Sequence, residues 1–476
     1  MRTALVLFSR DLRRHDHAAL THAARHFDAV VPVFVWAPGE EAPWAPGGAH
    51  RWWLHHSLQS LAGDLAADGS RLTLRHGPTL SAVHDLVRES GASGVFWHAA
   101  VEPAMRARDA DLLAALRADG LDAEAFPGRL LHDPDAVQTG SGTPYRVFTP
   151  FYRAFQRDVV VPLPLPAPHL ASKAPDAWPR SEPLGALGLL PMIPWDVAFP
   201  DIWTPGEAAA RDRLTERADG GLDGYATRRD RPDDDGTSRL SPRLHWGELS
   251  PRTVWHAAAD SALPGADRET FHKEVAWREF AAHLLWHFPH TPTEPLRPEF
   301  VRLNWRDDAA GLRRWQSGET GFPIVDAGMR QLWATGWMHN RVRMIAASVL
   351  TKDLLVSWTE GARWFWDTLV DADLASNTFG WQWAAGSGAD AQPFFRIFNP
   401  ATQGQRFDPD GAYVRHWVPE LAALPTRYLH DPAAAPASVL AASKVRLGTT
   451  YPRPIVDHKA ARQRALDAFA ALKSAG

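Results

Sequence analysis

Residues 3–36 read TALVLFSRDLRRHDHAALTHAARHFDAVVPVFVW and contain two continuous apolar runs, at residues 3–8 and 29–36. Strands of a parallel sheet are covered on both faces, so they read as unbroken hydrophobic stretches of this kind. Three shorter strand candidates and two helical patterns follow, at residues 71–75, 95–97 and 122–126 and at residues 50–67 and 103–118. This alternation predicts an α/β domain with a parallel, Rossmann-like sheet over residues 1–130.

The pattern changes after this domain. Residues 161–170, VPLPLPAPHL, carry a proline at every second position, which forbids a regular helix and favours extended geometry. We therefore predict an extended connector over residues 131–200. No further alternating strands follow, and an all-α domain is predicted for residues 201–476. Its helical stretches are expected at residues 269–287, 323–336, 340–356, 361–370 and 457–473.

Composition excludes several classes of protein. The 476 residues include no cysteine, so disulfides, thiolate zinc sites, iron–sulfur clusters and cysteine nucleophiles are all ruled out. The N-terminal apolar run is too short for a signal peptide or a membrane span, which favours a cytoplasmic protein. A net charge of −4 requires any nucleic-acid binding to use a local basic patch. The 22 tryptophans outnumber the 6 tyrosines and supply indoles for stacking.

Common cofactor and metal motifs are missing. No G-x-G-x-x-G follows the first strand and no P-loop occurs, which argues against dehydrogenase and nucleotidase functions. His283 and His287 are four residues apart on a predicted helix, but they lack the H-E-x-x-H glutamate and a third ligand. We interpret them as structural histidines and predict no metal site.

Residues 237–252 combine hydroxyl groups with arginines. Ser241 and Ser250 each precede a proline, so each is a candidate cap for a new helix. Unpaired N–H groups at helix N-termini attract anions, and nearby arginines add positive charge. The segment therefore indicates either a phosphate site or two ordinary capped helices.

Three further patterns suggest a site for a flat, polar ligand. Glu274 and Trp277 are three residues apart on a predicted helix, so a carboxylate and an indole share one face. Asn340 and Met344 share a face of a later helix, with two arginines expected on other faces. The segment 371–383, DADLASNTFGWQW, joins two aspartates and an asparagine to two tryptophans, and could bind a ring system carrying both donors and acceptors.

Several motifs resemble those of one family. The strings FSRDLRRHDHAAL, GTSRLSP, EVAWREF, TGFPIVDAGMRQLWATGWMHNRVRM, DADLASNTFGWQW and FFRIFNP are similar to the photolyase/cryptochrome family, specifically to class I cyclobutane pyrimidine dimer photolyases. The resemblance extends over nearly the whole chain. It implies an α/β antenna domain, a connector and a helical domain that binds FAD, in agreement with the organisation predicted above.

The resemblance also implies a reaction and a FAD site. In this family, photoexcited FADH⁻ donates an electron to a pyrimidine dimer in UV-damaged DNA, the cyclobutane ring splits and the electron returns. Asn377 corresponds to a neutral amide near flavin N5, which favours repair over signalling. The residues implied to bind FAD are Tyr225, Thr237, Ser238, Arg239, Leu240, Ser241, Arg278, Arg343 (paired with Asp371), Asp373 and Asn377.

The same resemblance implies how DNA is bound and how flavin is reduced. Glu274 would hydrogen-bond the dimer bases, and arginines would contact phosphates. Trp381, Trp358 and Trp305 would form an electron chain that leads outward from the flavin. The residues implied to contact substrate or DNA are Arg229, Glu274, Trp277, Asn340, Arg341, Met344, Trp383, Arg396 and Gln403.

The second chromophore and the rival functions stay open at this point. Relatives that bind methenyltetrahydrofolate have Asn-Glu before Arg-Ala-Arg-Asp, whereas this chain has Ala104-Met105. The preceding Glu-Pro is more similar to relatives that use 8-hydroxy-5-deazaflavin, which we favour over the folate. The alternatives are a blue-light signalling cryptochrome and a (6-4) photolyase. We expect a monomer that acts on damaged DNA and not at a membrane.

Overall fold

The computed structural model describes residues 1–391 and 393–474. A five-stranded parallel sheet forms the N-terminal part, in the order β3-β2-β1-β4-β5. Its strands and the helices between them are β1 Thr3–Phe8, α1 Ala18–His26, β2 Ala29–Trp36, α2 Gly48–Ala67, β3 Thr73–His76, α3 Thr79–Ser90, β4 Ala92–His98, α4 Pro103–Ala118 and β5 Asp122–Phe126. The first two strands are buried almost throughout, as their apolar sequences require.

The rest of the described chain is helical. Its α-helices are α5 Phe148–Asp158, α6 Phe199–Ile202, α7 Glu207–Glu216, α8 Tyr225–Arg228, α9 Ser241–His245, α10 Pro251–Asp260, α11 Gly265–His287, α12 Ala309–Gln316, α13 Pro323–Thr335, α14 Asn340–Ser348, α15 Trp358–Thr368, α16 Leu374–Ala385, α17 Pro400–Phe407, α18 Ala412–Trp417, α19 Thr426–Leu429, α20 Ala437–Ala442 and α21 His458–Ser474. The predicted fold class, a parallel α/β domain followed by a helical one, is confirmed.

Two local predictions need correction. The segment 131–200 is not extended throughout, because Phe148–Asp158 forms a helix that buries Phe151 and Phe155 against α11. The helix expected over residues 340–356 leaves α-geometry after Ser348, and Val349–Asp353 forms a π-helical turn. Sequence periodicity cannot show this turn, since an apolar run fits either geometry.

The sheet and the helical part meet at the carboxyl end of β1. Gly247 has φ +67°, and a Cβ there would lie 2.2 Å from the carbonyl oxygen of Arg10. His50 on α2 stacks on His245 of α9 with 4.8 Å between ring centroids. Trp53 Nε1 donates to the buried carboxylate of Glu248 over 2.9 Å. This tight junction positions α9 directly behind the strand ends.

One buried cluster in the described residues has the composition of a metal site. Asp11 Oδ2 lies 3.0 Å from His17 Nε2 and 2.9 Å from His98 Nδ1. The opposite ring nitrogens accept from the backbone N–H groups of Leu20 and Ala18, at 3.1 Å each. A neutral imidazole has one nitrogen lone pair, and here it is used, so the nitrogens facing Asp11 carry protons. The cluster is a hydrogen-bonded group that fixes the first turn.

His283 and His287 also have structural partners. Both ring systems lie 3.2 Å from the carbonyl oxygen of Pro134, and burial lowers the pKa of His283 to about 3. Both therefore tie α11 to the segment before α5. Within the described ranges, no helix is both long and apolar enough to cross a membrane.

Candidate functional site

Two helices supply partners to one carboxylate. Asp371, at the start of the loop before α16, is bonded by Arg343 Nη2 of α14 at 2.9 Å and by the Ser241 hydroxyl of α9 at 2.6 Å. Arg343 Nε also donates to the carbonyl oxygen of Met338 over 2.7 Å. The structure therefore brings together three of the residues expected to bind FAD. Ser241 is the first residue of α9 and binds Asp371, whereas Ser250 caps α10 as expected, accepting from Thr253 N.

Asp373 belongs to a chain of polar groups that begins in the sheet domain. Arg10 Nη1 lies 3.2 Å from His245 Nε2, and His245 Nδ1 lies 3.5 Å from Asp373 Oδ2. Because Arg10 is a donor only, Nε2 is the acceptor and Nδ1 carries the proton towards Asp373. Burial alone would raise the pKa of Asp373, but His245, Arg278 and the backbone N–H of Ser376 together outweigh burial and hold the pKa below its usual range. Asp373 is thus a fixed anionic acceptor.

The contact between Asp373 and His245 is expected to make the free energy of unfolding depend on pH. Asp373→Asn keeps the cap that Asp373 provides to Ser376 N but loses the charge, so we expect it to lower the free energy of unfolding at pH 7 by about 1–2 kcal/mol. A depressed carboxyl pKa stabilises the fold above the unfolded value of about 4, and this contribution is lost as the pH falls below it. Urea titrations of FAD-free protein at pH 7, 4 and 3 should show the wild type and the variant converging. A constant difference would contradict the assignment.

The segment between α8 and α9 is strained and rich in ion pairs. Arg239 has φ +53°, a left-handed conformation that costs energy in a residue with a side chain. Its guanidinium lies against Asp235 and over the ring of Trp337. Of the other residues expected to bind FAD here, Tyr225 and Leu240 are buried and Thr237 and Ser238 are half-buried. Strain of this kind is typical of ligand-binding segments.

Two more of the expected FAD residues lie on α11 and α16. Arg278 donates to the carbonyl oxygen of Arg129 over 3.0 Å and helps to lower the pKa of Asp373. Asn377 Nδ2 donates to the carbonyl oxygen of Ala362 over 3.0 Å. That bond fixes the amide and leaves its Oδ1 as the group that Asn377 presents.

The three tryptophans of the expected electron chain share one apolar core. Trp381 and Trp358 are buried in it and Trp305 is packed at its edge. The ring contacts of Trp381 are with Phe365 at 5.0 Å and Trp315 at 6.0 Å. The structure therefore places all three indoles in the core of the helical domain, while their role in electron transfer stays a prediction.

Residues expected to meet substrate lie beside α16, the helix that carries Asn377. Trp277 of α11 stacks on Phe148 at 3.6 Å and lies 5.6 Å from Phe379 of α16, two residues after Asn377. Glu274, one turn before Trp277, is bonded by Arg229 Nη1 at 2.7 Å. Burial raises the pKa of the Glu274 carboxyl even though Arg229 opposes this shift.

The arginines of α14 are arranged differently from the prediction. Arg341 Nη2 is 2.5 Å from Asp230 Oδ1, and Arg341 Nη1 is 3.7 Å from the sulfur of Met344. Arg341 therefore folds back over the face that carries Met344, since its long side chain spans one helical turn. Four other residues are expected to contact substrate or DNA. Asn340 and Arg396 are exposed, and Trp383 and Gln403 are half-buried.

The residues around Asp371 fit the chemistry of the implied FAD. An isoalloxazine ring offers both N–H donors and carbonyl acceptors. Asp373 supplies a fixed acceptor, Arg343 supplies guanidinium donors, and Asn377 supplies an amide oxygen. The three side chains therefore offer acceptors for the ring's N–H groups and donors for its carbonyl oxygens.

Sequence reasoning missed four residues of the site. His245 and Arg10 support Asp373 across the domain junction, Phe148 stacks on Trp277, and Asp230 pairs with Arg341. The partners in all of these contacts are at least 111 residues apart in the sequence. Only the unusual density of Asp and Arg at residues 228–235 was visible in the sequence.

Comparison with known proteins agrees with this geometry. A family model described as the FAD binding domain of DNA photolyase matches residues 271–471, and one described as DNA photolyase matches residues 4–169. The deoxyribodipyrimidine photo-lyase of Agrobacterium fabrum is 50% identical over 98% of each chain. Cryptochrome-2 of Arabidopsis thaliana is 38% identical over 96% of this chain and 77% of its own length.

A solved structure has the same fold over the full length. The crystal structure of a bacterial class III photolyase from Agrobacterium tumefaciens superposes with a TM-score of 0.96 at 49% identity, and the match covers 100% of this chain and 98% of that one. Identity at this level, over at least 98% of both chains, means that the motifs and the fold have a common origin. The chain belongs to the photolyase/cryptochrome family.

Proposed function

We propose that this protein is a deoxyribodipyrimidine photo-lyase, a light-dependent enzyme that splits cyclobutane pyrimidine dimers in UV-damaged DNA. The observation that carries the proposal is the contact between Trp277 and Phe379. It places the face of α11 that carries Glu274 next to the helix that carries Asn377. A damaged base bound against α11 would therefore lie beside the flavin pocket.

When bound in its reduced state, FAD would supply on light absorption the electron that splits the cyclobutane ring, and would take the electron back. The residues of the protein bind the cofactor and the dimer and orient them relative to each other. The dimer must leave the duplex to reach the pocket, which costs least for poorly stacked, damaged bases. Glu274 accepts hydrogen bonds from the pyrimidine edge, and Trp277, held flat by Phe148, packs against the apolar side of the dimer.

Asn377 supports repair in preference to signalling. Its amide is neutral at every physiological pH, and its bond to Ala362 holds it in one orientation. An acid at this position could deliver a proton to the flavin, whereas an amide cannot. The indoles of Trp381, Trp358 and Trp305 are proposed as the path that restores reduced flavin.

DNA binding is proposed to use local positive charge. Arg229 and Arg341 flank the pocket, and Arg396 is exposed near the start of α17. Contacts of arginines with phosphates displace counterions, so affinity should fall steeply with salt despite the net charge of −4.

The class that we propose within the family is not the one predicted from motifs. Class I membership is not confirmed, because the bacterial structure that shares 49% identity is a class III photolyase. We propose class III on that likeness.

The proposed antenna site lies at the carboxyl ends of the strands. The strand order reverses between β1 and β4, and ligands of doubly wound folds bind in the crevice at such a point. An open cleft lies there, lined by residues at or just after the ends of β1, β2 and β4, among them Arg10, Ala37 and His98. Trp97 and Trp246 line this cleft, and their buried indole N–H groups have no hydrogen-bond partner among the described residues. We propose 8-hydroxy-5-deazaflavin as its ligand, which mass spectrometry of the extracted chromophores would distinguish from methenyltetrahydrofolate.

The repair assay decides between the candidate functions. Purified protein should show flavin bands that bleach under blue light with a reductant, and the same sample should then repair DNA that carries a thymine dimer. The dark sample and undamaged DNA are the controls. Flavin reduction without repair would favour the cryptochrome function suggested by the Arabidopsis relative. Repair of (6-4) photoproducts alone would favour that second kind of photolyase.

A further inference from the structure

We propose that Arg229 is a specificity-determining residue, because Glu274 withholds it from DNA phosphates until a pyrimidine dimer occupies the site. The proposal rests on the proposed function and deepens it. Contact with a phosphate is normally independent of sequence and of damage. Here the contact of Arg229 with phosphate forms only when the dimer bases contact Glu274.

Arg229, which is expected to bind phosphate, already forms an ion pair with Glu274 in the absence of DNA. Arg229 Nη1 lies 2.7 Å from Glu274 Oε1, and the two side chains are only 24% and 30% exposed. The backbone N–H of Arg229 is anchored to Tyr225 O at 3.2 Å, so the guanidinium is held close to the base-binding carboxylate. Without DNA, the two groups neutralise each other.

Undamaged duplex cannot break this pair cheaply. If Arg229 turned to a phosphate, it would leave Glu274 as a poorly hydrated, unpaired carboxylate, which is costly. Stacked, paired bases offer Glu274 no replacement donors. Arg229 should therefore stay with Glu274 when undamaged DNA passes over the surface.

A flipped dimer changes the balance. Its pyrimidine N–H groups, free of their Watson–Crick partners, donate to Glu274 and take over the role of Arg229. The guanidinium is then released to a backbone phosphate at no further cost to Glu274. Base recognition and phosphate binding thus reinforce each other, which raises the preference for damaged DNA.

The neighbouring pair of Arg341 with Asp230 provides a matched control. Its contact is 2.5 Å, but the Asp230 side chain is 40% exposed, and no base contact is assigned to it. Water can therefore hydrate Asp230 when Arg341 leaves. Breaking this pair should be equally easy with either kind of DNA.

The test measures dissociation constants in the dark for FAD-loaded protein. It uses one duplex with and without a single thymine dimer, over a series of salt concentrations. Glu274→Gln should raise affinity for undamaged DNA several-fold and steepen its log–log salt dependence by about 0.9, the value for one added phosphate contact. The same variant should bind dimer DNA more weakly. Arg229→Gln should weaken dimer binding about tenfold and change undamaged binding less than twofold.

The combination of variants isolates the coupling. In Glu274→Gln/Arg229→Gln, the gain in affinity for undamaged DNA should vanish. Asp230→Asn should tighten both complexes by the same factor and leave their ratio unchanged. The proposal is overturned if Glu274→Gln leaves undamaged binding and its salt slope unaltered, or if Asp230→Asn changes the ratio as much. A wild type without any preference for dimer DNA would instead overturn the proposed function.

Discussion

Replacing Gly361 with alanine is expected to destabilise the helical domain and to displace the buried indole of Trp381. A Cβ at Gly361 would lie 2.0 Å from Cη2 of Trp381, closer than any real contact. The ring cannot move freely, since it is buried against Phe365 and Trp315. Overpacking of this kind costs about 1–3 kcal/mol or more, which exceeds the gain of about 1 kcal/mol from a better helix former.

Gly380 supplies the matched control for this substitution. It is also inside a helix, α16, but a Cβ there meets nothing within 4 Å. Gly380→Ala should therefore leave the melting temperature unchanged or raise it, while Gly361→Ala lowers it by several degrees. Flavin photoreduction should slow in Gly361→Ala alone. Equal melting temperatures for the two variants would show that the core around Trp381 is loose.

The sequence was sufficient for the fold because its signals are local. The runs at residues 3–8 and 29–36 are strands with the same bounds in the structure, and Ser250 caps its helix as its Ser-Pro pair predicts. The helix that was missed depends on a tertiary contact. The helix at Phe148–Asp158 lies in a segment where neighbouring prolines dominate the pattern, and its amphipathic face is stabilised by packing on α11.

The site could be predicted only as far as motifs extend. Arg343 and Asp371 were identified by resemblance, and the structure shows them in contact. Arg10 and His245, which fix the charge of Asp373, come from different domains and have no motif of their own. The pairing of Arg229 with Glu274 was also hidden, since sequence assigned each residue to DNA separately. Long-range electrostatic partners are set by the tertiary fold.

Arg343→Met is expected to reduce FAD affinity by about tenfold or more, since hydrogen bonds to a charged group contribute about 1.5–3 kcal/mol. The substitution removes the donors that Arg343 presents to Asp371 and to Met338 O, and leaves Asp371 with the Ser241 hydroxyl. Removing one partner of a buried pair costs about 3 kcal/mol, and the 22% exposure of Arg343 reduces this somewhat. Apoprotein stability and the FAD dissociation constant are the two measurements.

A double substitution separates these two effects. In Arg343→Met/Asp371→Asn no unpaired carboxylate remains, and the asparagine oxygen still accepts from Ser241, so apoprotein stability should largely recover. FAD affinity should not recover, because the guanidinium is still missing. Arg343→Lys should be intermediate, since an ammonium keeps the charge but not the planar fork. If the double variant regained FAD as well as stability, Arg343 would only be holding Asp371, and the flavin would be bound by the other groups of the pocket.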